Sequence, residues 1–100
     1  MLLIAGSVRI DAAVRDDLIE TAIEVVRELR KQVGCVQVSL SADLEDPSVL
    51  HLLQIWESQT ALLANIGSPQ IEAIRDHVGK LGIREMAILK YEIASVGTVV

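Results

Sequence analysis

Residues 35–57 read CVQVSLSADLEDPSVLHLLQIWE, and the fold turns on how this stretch divides. From Cys35 to Ala42 the side chains alternate. Val36, Val38, Leu40 and Ala42 share one face, and Cys35, Gln37, Ser39 and Ser41 the other, the period-two pattern of a strand. Asp43 to Ser48 gathers acidic residues around Asp46-Pro47 and marks a turn. Val49 to Glu57 then reads as another strand, apolar on both faces. Two strands this close in sequence are expected to form a hairpin.

Upstream, Leu2 to Ile10 is a third β-rich run. Leu2, Ile4, Val8 and Ile10 lie on one face and Leu3 and Ala5 on the other, interrupted by Ser7 and Arg9. Asp11 is placed to cap or turn into a helix. That helix carries Val14, Leu18, Ala22, Val25, Val26, Leu29 and Val33 at helical spacing. Asp16, Asp17 and Glu20 sit early and Arg30 and Lys31 late, as the helix dipole favours. Gly34 stands where a left-handed terminating residue is wanted. Downstream, Ser58 caps a short helix through Ile66. Gly67-Ser68-Pro69 breaks it and opens a second one, with Ile71, Ile74, Val78 and Leu81 as its apolar stripe and Gly82 at its end. Arg84 to Ser95 reads as the last strand.

The order is therefore strand, helix, strand, strand, helix, strand. This is an α+β, ferredoxin-like βαββαβ domain spanning residues 1–100, with an antiparallel four-stranded sheet and its helices on one face. The uncovered face would still carry Leu3, Ala5, Leu53 and Ile55. An apolar sheet face of this extent is expected to meet a partner, and a second copy related by a two-fold axis is the simplest one. The expected assembly is a homodimer through the sheet face.

Composition narrows the function. The chain has 100 residues, 51% of them hydrophobic, and its only aromatic residues are Trp56 and Tyr91. The core must be aliphatic. A net charge of −5 argues against nucleic-acid binding, which needs clustered cations, and against an anionic membrane surface. Cys35 is the sole cysteine, so no intrachain disulfide forms, in keeping with a cytoplasmic location. One cysteine with the distant His51 and His77 provides no metal-ligand cluster, and no metal site is expected. No phosphate loop, paired catalytic carboxylates or nucleophile elbow is present.

The remaining candidates are polar or aromatic groups in apolar surroundings. Trp56 is either a packing anchor at the strand exit or a pocket wall with an indole N–H to offer. Arg75 either pairs with Glu72 or Asp76 or steadies an anionic ligand. By strand parity His51 faces away from Trp56, toward the expected partner. His77 is a surface or pocket-edge acid/base group. Ser7, Gln37, Ser39 and Gln54 are polar groups on apolar strands, where they need partners or orient a ligand. Tyr91 offers a phenol from the last strand. Cys35 reads as an inert buried thiol.

Several of these positions form a wider pattern: Val33-Gly34-Cys35 before the second strand, Ile55-Trp56-Glu57-Ser58 after the third, Ser68-Pro69 opening the later helix, and Lys90-Tyr91-Glu92 in the last strand. Over about residues 1–95 the chain resembles the antibiotic biosynthesis monooxygenase family of dimeric α+β barrels. The resemblance implies a cofactor-independent monooxygenase acting on a small aromatic, quinol or polyketide-like substrate, with Trp56 and Arg75 as catalytic residues. Ser7, Asn65, His77 and Tyr91 are then the substrate-binding residues. Leu52 and Leu62 stand where the polyketide oxygenases of that family carry an Asn and a Tyr. Gly6 or Ser7, Asn65 and Arg75 fall where its haem-degrading branch places an Asn, a Trp and a His, so no haem is expected. The alternatives are a non-catalytic dimeric ligand-binding or structural domain, and an isomerase on the same fold using His51 or His77.

Overall fold

The computed structural model describes residues 1–100, apart from the side chains of Gln70, Ile74 and Val78. Strand β1 runs over Leu2–Ile10, and a 3-10 turn over Ala12–Val14 leads into helix α1, Arg15–Arg30. The hairpin follows as β2, Cys35–Ala42, and β3, Val49–Trp56. Helices α2, Gln59–Ile66, and α3, Pro69–Lys80, come before β4, Ile83–Glu92. The sheet order is β2-β3-β1-β4, with every neighbouring pair antiparallel. This is the expected ferredoxin-like arrangement.

The element boundaries follow from local chemistry. Asp11 accepts a hydrogen bond from the Ala13 N–H at the start of the 3-10 turn. Ser58 and Ser68 accept from the N–H groups of Ala61 and Ile71, capping α2 and α3. Gly34 and Gly82 both adopt φ +87, the left-handed conformation that glycine tolerates at a helix exit.

Three boundary expectations are corrected. Helix α1 ends at Arg30, and Val33 lies beyond it, almost fully exposed, because the chain is already turning toward Gly34. The last strand is Ile83–Glu92 rather than 84–95, since its pairing with β1 runs out where β1 begins at Leu2. Cys35 does not share a face with Gln37. A bulge at Val36 lets Cys35 pair with Trp56 while Gln37 pairs with Ile55, so Cys35 turns toward the helices and packs on the core. Two members of the expected α3 stripe, Ile74 and Val78, lie outside the described side chains.

Pleating sends Leu2, Ile4, Val8 and Ile10 of β1 and Leu50, Leu52, Gln54 and Trp56 of β3 toward the helices. The core they form is in two parts. Leu2, Leu29, Val38, Trp56, Leu62 and Ile71 make one cluster, and Ile10, Leu18 and Leu50 the other. On the opposite face Leu3 sits between Ile55 and Tyr91, Ala5 between Leu53 and Leu89, and Ser7 between His51 and Ala87. No helix covers this face, and Leu89 and Tyr91 are 61% and 47% exposed.

Gly6 lies at the centre of β1. A Cβ there would collide with the Ala87 carbonyl oxygen and the Ile88 backbone of β4. Backbone atoms of a paired strand cannot yield as a flexible side chain can. Gly6→Ala is expected to lower stability by about 3 kcal/mol, the upper end for overpacking, or to prevent folding. Urea denaturation followed by circular dichroism measures this, and unchanged stability would contradict the close β1–β4 approach.

Candidate functional site

Between the two core clusters the side chains do not meet. A cavity of about 190 Å3 lies there, under α1 and against the sheet. Val8, Val38, Leu50 and Leu52 line its sheet side, and Leu18 and Leu29 its helix side. Gln54 is the one polar side chain in its described lining, which contains no titratable group.

Gln54 is held by Trp56. The indole Nε1–H donates to Gln54 Oε1 at 2.8 Å. The two residues lie two apart on β3 and so point the same way. Trp56 is fully buried, and an indole N–H can only donate, so a buried Trp needs an acceptor within reach. The cross-strand neighbours of Gln54 are Ile4 and Val38, both aliphatic.

Next to the cavity a larger groove of about 620 Å3 is bounded by Ile71, Glu72, Arg75, Asp76 and Met86. Val25 of α1 and Ile83 of β4 border both spaces, so the groove adjoins the cavity between α1 and β4. Arg75 is exposed and forms no ion pair among the described residues. Gln54, bonded to Trp56, lines the cavity, and Arg75 lines the adjoining groove.

The other expected site residues lie elsewhere. His77 borders a separate surface groove with Glu20, Thr21 and Glu24, between α1 and α3. Ser7 lines a shallow concavity on the open sheet face with Ser39, Ser41 and His51, and Tyr91 lies on that same face, paired with Leu3. Asn65 is buried to 4% exposure on α2, and its Oδ1 has no partner among the described residues. Leu52 lines the cavity and Leu62 sits in the core. Cys35 is partly buried, and burial raises its thiol pKa, so it is held as the less reactive protonated form. Among the described residues no group of three or more His, Cys, Asp or Glu is arranged to hold a metal ion. No described helix is long and apolar enough to cross a membrane.

In the sequence Gln54 is one of several polar residues on apolar strands. Its distinguishing signal is its spacing: it shares Trp56's face at i−2, where an acceptor for the indole has to come from.

The family model described as antibiotic biosynthesis monooxygenase matches residues 1–77. The chain belongs to that family. Among solved structures, a Deinococcus radiodurans protein carrying the family's name superposes with a TM-score of 0.92 at 19% identity, covering 100% of this chain and 99% of that one. A Nitrosomonas europaea protein of the same description gives 0.87 at 12% identity, with 95% and 100% covered. A Mycobacterium tuberculosis protein gives 0.86 at 22% identity, with 97% and 98% covered. At these identities the likeness establishes the fold. A comparison with curated proteins finds no match. As a family member the chain has the expected fold, and its site must be read from its own residues.

Two predictions follow from this geometry. Trp56→Ala removes a fully buried ring and is expected to cost about 3–5 kcal/mol, whereas the exposed Arg75→Ala is expected to stay within about 0.5 kcal/mol of wild type. Chemical denaturation of both variants decides this, and equal losses would contradict the placement. The second concerns acid stability. His51 Nε2 donates to Asp43 Oδ1 at 2.8 Å. That bond, with those from the Asp46 and Glu45 N–H groups, lowers the Asp43 carboxyl from 3.8 to about 2. A lowered carboxyl stabilises the fold above its unfolded value of 3.8 and loses that contribution as pH falls toward about 2. Asp43→Asn should therefore flatten the loss of stability across this window. Parallel acid-denaturation curves would contradict it.

Proposed function

We propose that this protein is a cofactor-independent monooxygenase, taking a small aromatic, quinol or polyketide-like substrate into the helix–sheet cavity and working as a homodimer through the open sheet face. The observation that carries this reading is the apolar cavity beside a groove that holds Arg75. Family membership supports the reaction class. An electron-rich ring, once deprotonated, can itself reduce dioxygen. With a hydroquinone, one oxygen atom enters a ring C–H bond and the other leaves as water with the two hydroxyl hydrogens, giving a hydroxyquinone. With an anthrone, the ring CH2 becomes a carbonyl and its two hydrogens leave in the water.

The protein's tasks in such a reaction are few. The aliphatic walls exclude water and hold the ring. Arg75, a cation in the adjoining groove with no ion pair among the described residues, stabilises the developing enolate or phenolate. Trp56 acts through the amide it orients. The dimer follows from Leu3, Leu53, Ile55, Leu89 and Tyr91 on a face that no helix covers. Ser7 and His51 would then lie at that interface, where the Asp43 contact satisfies the imidazole.

Oxygen uptake with a panel of hydroquinones and anthrones tests the activity. Turnover is expected with at least one of them, falling about 100-fold in Arg75→Ala. No uptake with any member would overturn the proposal. The absence of a titratable group from the cavity's described lining favours one other reading, a binding protein without turnover, whose mark would be ligand binding with no oxygen consumed. For the assembly, light scattering after gel filtration is expected to give a dimer mass, reduced to a monomer by Leu89→Glu. A stable wild-type monomer would contradict the sheet pairing.

A further inference from the structure

We propose that Gln54 is the specificity-determining hydrogen-bond donor of the helix–sheet cavity, and that the site takes a single aromatic ring bearing a carbonyl or phenolic oxygen. This deepens the proposed function and rests on its reading of the cavity as the ligand site.

Size sets the first limit. A dry apolar cavity of about 150 Å3 in another protein accepts benzene, and pockets for drug-sized ligands begin at about 300 Å3. At about 190 Å3 this cavity holds one ring with a small substituent. A second fused ring would have to displace Leu50, Leu52 or Leu29, each set in a packed element, or force a way out between Val25 and Ile83.

Chemistry sets the second limit. A glutamine amide presents an acceptor at one end and two donors at the other. Here the choice is settled by Trp56, which can only donate and takes Oε1. Nε2 is therefore the free end, and it forms no hydrogen bond among the described residues. Its strand neighbours Ile4 and Val38 provide no acceptor. A donor at the wall of an aliphatic cavity loses solvent when a ligand enters and is then costly if left unpaired, and a ligand oxygen satisfies it. A purely hydrocarbon ligand leaves it unpaired, so the site distinguishes the two.

The test is calorimetric titration of wild type, Gln54→Leu and Gln54→Glu with acetophenone, ethylbenzene and 1-acetonaphthone. Gln54→Glu, titrated at alkaline pH where the carboxylate can only accept, keeps an acceptor for the Trp56 indole and removes the donor, so it covers the case in which Gln54→Leu does not fold. Wild type is expected to bind acetophenone and to reject 1-acetonaphthone by at least tenfold. Both variants should weaken acetophenone at least tenfold while leaving ethylbenzene within a factor of about three. Binding of 1-acetonaphthone as tight as acetophenone, or equal losses for acetophenone and ethylbenzene, overturns the inference and leaves the cavity as the ligand site. No binding of any probe to wild type overturns both the inference and that reading of the cavity.

Discussion

The alternation of β3 governs this molecule. The strand lies inside the sheet, between β2 and β1, so both its faces must be resolved by packing. Leu50, Leu52, Gln54 and Trp56 point to the helices, and Val49, His51, Leu53 and Ile55 point away. A slip of one residue would bury His51 and Ile55 beneath the helices and expose Trp56. The 0% exposure of Trp56 makes such a slip very costly, which ties the register to one side chain. Because the same indole needs an acceptor, the register also decides where the one polar side chain of the cavity's described lining stands and which end of its amide is free.

The split core follows from this arrangement. Trp56 fills one end of the space between helices and sheet, together with Leu62 from α2 and Ile71 from α3. Ile10, Leu18 and Leu50 fill the other. With two aromatic residues in the whole chain, no second ring is present to occupy the middle, and the aliphatic side chains around it leave a cavity. Interiors normally pack to the density of organic crystals. A void of this size between two packed clusters therefore weakens the fold, and a bound ligand would recover the missing contacts.

Much of the architecture was legible in the sequence because it rests on short-range rules. The alternation in residues 35–42 and 49–57, the caps at Ser58 and Ser68 and the glycines at 34 and 82 each act within a few residues. What was not legible depends on pairing between strands. The run from Cys35 to Ala42 alternates without a flaw, yet the bulge at Val36 turns Cys35 inward, because the strand must bend to meet Trp56 across the hairpin. The candidate site was less legible still. Arg75 and His77 are two residues apart on one helix, about 200° around its axis, so one borders the groove beside the cavity and the other a groove on α1. Ser7 and Tyr91 share a strand face with each other and not with Trp56. Gln54 could be named as a polar strand residue, but its role depends on the cavity, which only the packed helices create.

The central claim is that a small aromatic ligand enters between the helices and the sheet and meets the Gln54 amide. Side-chain amide and methyl NMR spectra of the intact protein, recorded with and without acetophenone, test it most directly. The account predicts shifts in the Gln54 amide, the Trp56 indole and the methyls of Leu18, Leu50 and Leu52. Shifts confined to Leu53, Leu89 and Ala87 on the open sheet face, with the Gln54 amide unmoved, would contradict it.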